Sequence, residues 1–261
     1  MKNLRKYGIA PFRVAVIHGG PGAPGEIAPV ARELATYYGV LEPLQTTDTL
    51  EAQVRELQSV LLAHGELPVV LIGHSWGAWL SFIVAARSPN IVRKLILVSS
   101  GPFEEKYAKD IMKTRLERLG DRERIELLSL IDSLGEAQDK RGDQQLARLG
   151  ELISIADSYD PLPYDDEVFE TKYRIFNRVW QDADRLRSSG ELLQLGSDIK
   201  CPVVAVHGSY DPHPAEGVQK PLSTVLEDFR FILLSKCGHI PWIERQAREE
   251  FMRVLIEELR G

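Results

Sequence analysis

The hydrophobic positions of this chain follow two periodicities that take turns along it. Short, continuous apolar runs rich in Val, Ile and Leu occur at Arg13 to Ile17, Val40 to Leu44, Val69 to Ile72, Lys94 to Val98, Pro202 to Val206 and Phe231 to Leu234. Runs this brief, closed by glycine, proline or polar residues, predict buried strands. Between them the spacing becomes helical: Ile27, Val30, Ala31, Leu34, Tyr37 and Tyr38; then Leu50, Val54, Leu57 and Leu61; then Ala78 to Ala86; and finally Phe251, Val254, Leu255 and Leu259. Asp48 and Glu51 predict a capping box for the second of these helices. Strand–helix alternation predicts the α/β class, with a mostly parallel sheet of about six strands flanked by helices.

The pattern changes between Phe103 and Gly190, where strand signals stop. Charged helical segments there carry partial stripes, Ile125, Leu128 and Ile131, then Leu146, Leu149 and Ile153. An aromatic stripe of Val168, Phe169, Tyr173, Phe176 and Trp180 follows, and packing against the core is its expected use. A chain of 261 residues fits one α/β domain with an insertion. The expected division is a core of residues 1–103 and 191–261, interrupted by a helical insertion over 104–190.

Candidate chemistry sits at the ends of the predicted strands. Gly73-His74-Ser75-Trp76-Gly77 lies between the run Val69 to Ile72 and the helix after it, the setting of a nucleophile elbow. A turn that tight leaves no room for flanking side chains, so glycine stands on both sides and the Ser75 hydroxyl is held out above the sheet edge. A serine needs a base, and the base needs an orienting group. Asp211 follows the run Val203 to Val206 and Gly208, and His239 follows Phe231 to Leu234 and Gly238. Nucleophile, acid and base thus each fall just past a strand's C-terminal end, where open parallel sheets place their sites. Glu104 or Glu105, after the preceding strand, is the alternative acid. His18-Gly19-Gly20-Pro21-Gly22 follows the first strand, and its glycines let a backbone amide approach a substrate oxygen. The expected oxyanion donors are the amides of Gly20 and Trp76. His18, His74 and His207 are read as structural hydrogen-bonding groups.

These motifs resemble those of the α/β-hydrolase superfamily, and within it the proline iminopeptidases and their relatives. The resemblance rests on His18 to Gly22, Ser75 with Trp76, Gly208-Ser209-Tyr210-Asp211 and Gly238-His239. It implies an α/β-hydrolase fold in which the insertion 104–190 is a helical lid over Ser75. It also implies a substrate ammonium received by one of Asp157, Asp160, Asp165, Asp166, Glu167 and Glu170, the alternative being a solvated acidic face.

Composition narrows the picture further. Hydrophobic residues make up 44% and charged residues 27%, ordinary values for a globular protein. A net charge of −6 and the lack of a basic stripe argue against nucleic acid as a partner. Cys201 and Cys237 are too few for a disulfide framework and are expected as reduced thiols. Met1 to Lys6 is basic like the start of a signal peptide, but Pro11 and Arg13 interrupt the apolar stretch that should follow. The apolar region Val69 to Ala86 is broken by Gly73-His74-Ser75, so a strand, turn and helix are expected there rather than a membrane span. The expectation is a cytoplasmic protein acting on a small molecule, with no cofactor. No metal is expected either, because no ligand set at useful spacing completes one around His213.

The function expected from the residues is acyl transfer on a small ester or amide through a Ser75–His239–Asp211 triad. An iminopeptidase, a lyase or C–C bond hydrolase using the same triad, and a non-catalytic ligand-binding protein are the alternatives.

Overall fold

Seven strands form one sheet in the computed structural model, which describes residues 3–134, 139–163 and 171–260. They are β1 (Leu4–Tyr7), β2 (Phe12–Ile17), β3 (Gly39–Pro43), β4 (Val69–His74), β5 (Val92–Val98), β6 (Val203–Gly208) and β7 (Phe229–Leu234). Their order across the sheet is β1-β3-β2-β4-β5-β6-β7. All neighbouring pairs are parallel except β1 with β3, which is antiparallel. The six strands read from the sequence are therefore joined by a seventh. β1 escapes a hydrophobicity reading because it is a four-residue edge strand, LRKY, supported on one side only.

Successive residues of the central strands feed opposite faces, as the two-residue repeat of a strand dictates. Ala15, Ile17, Leu71, Leu95, Leu97 and Ala205 pack into one core. Val14, Val16, Val70, Ile72, Ile96, Val98, Val204 and Val206 pack into the other. Helices α1 (Ala28–Leu34) and α10 (Arg248–Arg260) cover the second face. The first is covered by α2 (Leu50–His64) and α3 (Trp76–Arg87), of which α3 is buried from Trp76 through Ala86. With both faces covered, ligand access is left to the strand ends. The cap of α2 differs from expectation by one residue. Thr49 is the N-cap, its hydroxyl accepting the Ala52 amide at 3.2 Å, while Asp48 is drawn to Arg174 and Arg178.

Among the described residues, four α-helices fall within the insertion after β5: α4 (Ile111–Arg118), α5 (Asp121–Leu134), α6 (Asp139–Asp157) and α7 (Tyr173–Ser188). They share a small core of Leu119, Leu127, Leu134, Leu146, Leu149, Leu152 and Ala156. Leu146 and Leu149 are buried as the stripe predicts, but the stripe on α5 is not the packed one. Ile125, Leu128 and Ile131 are exposed, because α5 turns Leu127, Leu130 and Leu134 inward instead. On α7, Trp180 stacks on Trp79 of α3 at 6.0 Å and Phe176 stacks on Trp180 at 6.3 Å, so this part of the aromatic stripe does pack against the core. Val168 and Phe169 lie outside the described residues. Short α8 (Glu191–Gln194) leads back to β6, and α9 (Glu216–Val225) connects β6 to β7. No helix among the described residues is long and apolar enough to cross a membrane.

Candidate active site

Ser75 occupies the single residue between β4 and α3, with φ 51° and ψ −114°. A non-glycine residue held there costs about 1–3 kcal/mol and persists only where its surroundings over-determine it. They do so here. A Cβ at Gly73 would strike the Gly77 carbonyl, and one at Gly77 would strike the carbonyl oxygens of Ile17 and His18. The Ser75 amide donates to the Val98 carbonyl at 2.9 Å, fixing the turn to β5.

The three residues singled out in the sequence meet in one hydrogen-bonded row. The Ser75 hydroxyl lies 3.0 Å from His239 Nε2, and His239 Nδ1 lies 2.8 Å from Asp211 Oδ2. A carboxylate on Nδ1 fixes the proton there, leaving Nε2 to accept from the hydroxyl. Glu104 pairs with Lys106 and Glu105 with Arg187, so neither alternative acid engages the histidine.

Asp211 carries more histidine than expected. Its Oδ1 accepts both the backbone amide of His213, at 2.9 Å, and His213 Nδ1, at 2.8 Å. His207 Nε2 stands 3.6 Å from Oδ2 and donates to the His213 carbonyl at 2.8 Å. Burial alone would raise the Asp211 carboxyl, but His239, His213 and His207 together hold it well below the usual carboxylate range. For His239, burial pushes the ring down, and the Asp211 charge and hydrogen bond outweigh it to leave the ring above its ordinary 6.5. Burial dominates at His213 and brings it down to about 4, so that ring is neutral at neutral pH. Nothing in the sequence marked His213 for this place beyond its nearness to Asp211.

The glycine-rich loop after β2 runs alongside the elbow. Gly20 and Gly22 have φ of +44° and +84°. A Cβ at Gly22 would lie 2.5 Å from the Lys172 carbonyl, where α7 begins. His18 is fully buried and brought down to about 4 by that burial. Its Nδ1 donates to the Gly19 carbonyl at 2.7 Å, and its Nε2 accepts the Gln45 amide at 3.3 Å. Trp76 opens α3, so its amide is among the four that no carbonyl of its own helix can reach.

The chain matches the model of the alpha/beta hydrolase family over residues 14–254. It belongs to that family. It is 25% identical over 272 residues to a proline iminopeptidase of Heyndrickxia coagulans, covering 93% of this chain and 88% of that one. It is 24% identical over 260 residues to a pimeloyl-[acyl-carrier protein] methyl ester esterase of Chromobacterium violaceum, covering 94% and 93%. Among solved structures, VinJ superposes with a TM-score of 0.67 at 19% identity, covering 98% of this chain and 94% of that one. That likeness speaks to the fold alone.

In this alpha/beta hydrolase the acidic residues of the insertion are not equivalent. Asp157 is buried, and Arg115 grips its two oxygens at 2.8 and 2.6 Å, so it is neither a solvated carboxylate nor a free one. Asp160 is partly exposed beside Arg245. Asp165, Asp166, Glu167 and Glu170 lie outside the described residues. A grouping of metal-type donor atoms lies at His213. Among the described residues, donor atoms of Asp157, His213 and His239 lie within 4.8 Å of one another. Asp157 is paired with Arg115, His213 Nδ1 with Asp211, and the two His239 nitrogens with Asp211 and Ser75. Cys201 and Cys237 are free thiols, both pushed up by burial.

Proposed function

We propose that this hydrolase cleaves a small ester or amide by a two-step, cofactor-independent acyl transfer at Ser75. The observation that carries the proposal is the row Ser75–His239–Asp211, with contacts of 3.0 and 2.8 Å. His239 Nε2 takes the Ser75 hydroxyl proton as the oxygen attacks the substrate carbonyl. Asp211 keeps the imidazole in the required tautomer and balances the imidazolium that forms. The amides of Gly20 and Trp76 receive the oxyanion, each such donor contributing about 3 kcal/mol in comparable sites. His239 then returns the proton to the leaving group, and water repeats the sequence to free the acid and Ser75. The described part of residues 104–190 serves as the lid of the site, with Arg115 of α4 and Asp157 at the end of α6 acting on the histidine.

The Arg115–Asp157 pair favours esters over aminoacyl amides, since Asp157, the buried carboxylate of the insertion that acts on His239, is already paired with a guanidinium. The names of the two sequence relatives span both chemistries, a peptidase and a methyl ester esterase. The test is turnover of short-chain p-nitrophenyl esters beside prolyl and alanyl amides, together with labelling by a fluorophosphonate probe. Ester turnover and labelling that both vanish in Ser75→Ala support the proposal. Labelling at another residue, or none in the wild-type protein, overturns it.

A further inference from the structure

Glu26 lies on the loop between β2 and α1, and no motif in the sequence draws attention to it. Its Oε2 accepts the Gly19 amide at 2.9 Å and, at 3.1 Å, His74 Nδ1 from the end of β4. The other nitrogen of the same ring, His74 Nε2, donates to the His239 carbonyl at 2.9 Å. One carboxylate and one imidazole thus join three segments on which the proposed chemistry depends. These are the oxyanion loop, at the residue before Gly20; the elbow, at the residue before Ser75; and the histidine loop, at His239 itself. His74 and His239 lie 165 positions apart in the chain.

The chain of contacts is closely packed. The His74 side chain is 1% exposed, lies 4.9 Å ring to ring from His239 and meets the Trp242 ring edge-on at 4.7 Å. A Cβ at Gly19 would come within 2.5 Å of Glu26 Oε2 and 2.7 Å of His74 Nδ1, so even a methyl group would wedge the contact apart. Burial would raise the Glu26 carboxyl, but His74 more than offsets it and brings the group to about 2, so the carboxylate is ionised. The two His74 nitrogens thus face two different acceptors, Nδ1 the Glu26 carboxylate and Nε2 the His239 carbonyl. His74 is buried while the Glu26 side chain keeps 24% exposure, and replacing largely buried charged groups by apolar ones is often neutral or stabilising, so net stability is a weak reason for the contact to be here. Geometry is a better one. Backbone donors aimed at a developing charge act through their placement, and a displacement of about 1 Å costs on the order of 10²-fold in rate.

We infer that Glu26, acting through His74, is a positioning residue that holds the Gly19–Gly22 loop and the His239 loop in register with Ser75. The inference rests on the acyl-transfer reading above for its kinetic consequence, but its structural content is independent of that reading.

The experiment compares Glu26→Gln, Glu26→Ala and Glu26→Asp in the full chain. Glu26→Gln keeps the shape and an oxygen for Gly19 but loses the charge facing His74, and it guards against Glu26→Ala failing to fold. For an ester substrate, kcat should fall about 10- to 100-fold in Glu26→Gln, with KM changed less than about twofold. The fluorophosphonate labelling rate and the affinity for a trifluoromethyl ketone should fall in parallel, because both depend on the oxyanion site. Glu26→Asp should recover part of the loss. A purely structural role would lower the melting temperature of all three without this kcat-selective pattern. Amide hydrogen exchange at residues 19–22 and 238–240 is read in the same variants and should quicken in both loops. Wild-type kcat in a folded Glu26→Ala, or unchanged exchange in both loops, overturns the inference. Should the wild-type protein neither turn over esters nor react with the probe, the acyl-transfer reading fails, and the exchange measurement still decides the role of Glu26.

Discussion

Asp157 is joined to His239 by its backbone and to Arg115 by its side chain. Its carbonyl accepts the His239 amide at 2.9 Å, and its carboxylate takes two hydrogen bonds from the Arg115 guanidinium. The end of α6 is thereby tied to the histidine loop at the backbone, and α4 closes the pair from above. Removing one member leaves an uncompensated charge that is almost fully buried.

Arg115→Leu should therefore destabilise the protein by about 3–5 kcal/mol, whereas Arg115→Leu with Asp157→Leu should come close to wild type. Urea unfolding of the two variants measures the difference. There is a second consequence at the site. Asp157 raises His239 and Arg115 lowers it, so losing Arg115 should move the rising limb of kcat/KM to higher pH. The freed carboxylate should also improve KM for aminoacyl amides and leave simple acyl esters unchanged. Equal effects on both substrate types would count against the reading of Asp157 as a carboxylate kept from the substrate by its pairing with Arg115.

Ser75→Ala should lower turnover by roughly 10⁴-fold or more, with the urea midpoint nearly unchanged or slightly raised. The hydroxyl carries little packing, but its residue sits at φ 51°, and alanine meets the same strain as serine there. Residual turnover above a few per cent with every ester tried would mean that the nucleophile lies elsewhere.

Activity and stability should both rise with pH across the acid range, but through different groups. Activity needs neutral His239, which is held above its ordinary 6.5, so kcat/KM should rise with pH around a midpoint above that value. Stability depends on other groups. His18 and His213 stay neutral down to about 4 in the fold but would protonate near 6.5 in the unfolded chain. Between those values the unfolded state binds more protons, so stability must fall as pH falls through this window. His239 adds stability that is fully present below 6.5 and lost as pH rises through its folded value, so it does not oppose the trend within the window. Glu26, held at about 2 against an ordinary 4.5, adds stability that is present above 4.5 and lost as pH drops towards 2. Urea midpoints at pH 7, 5.5 and 4.5 should decrease in that order, and a flat profile would contradict the burial of neutral His18 and His213.

What the sequence made legible were the groups whose local context carries their role. Ser75, Asp211 and His239 each follow a strand and lie within three residues of a glycine, and Cβ atoms at Gly73, Gly77 and Gly208 would strike backbone carbonyls. The alternating faces of the central strands were legible for the same reason, since a two-residue repeat is written in neighbouring positions. Helix α5 was harder, because Leu127, Leu130 and Leu134 compete with Ile125, Leu128 and Ile131, and only α6 and α7 decide which stripe is buried. Thr49 and Asp48 both suit an N-cap, and the choice was made by Arg174 and Arg178, more than 120 positions away. Glu26 and Arg115 follow the same rule, since their partners His74 and Asp157 lie 48 and 42 positions away and a charged residue has no local mark that separates a buried contact from a solvated one.

Asp211 offers the sharpest test of how the histidines share one carboxylate. Both of its oxygens accept N–H donors, Oδ2 from His239 and Oδ1 from the ring and the backbone of His213. In Asp211→Asn only one oxygen remains, and the amide nitrogen must face a donor. Two donors converge on the Oδ1 side and one on the Oδ2 side, so the oxygen should settle towards His213 and the NH2 group towards His239. That forces His239 into the wrong tautomer, and kcat should fall by about 10⁴-fold. Adding His213→Ala removes one of the two competing donors and lets the asparagine oxygen turn back towards His239 Nδ1. The double variant Asp211→Asn/His213→Ala should therefore be more active than Asp211→Asn, although His213→Ala alone should be less active than wild type. A double variant no faster than Asp211→Asn would show that His213 does not compete for the carboxylate.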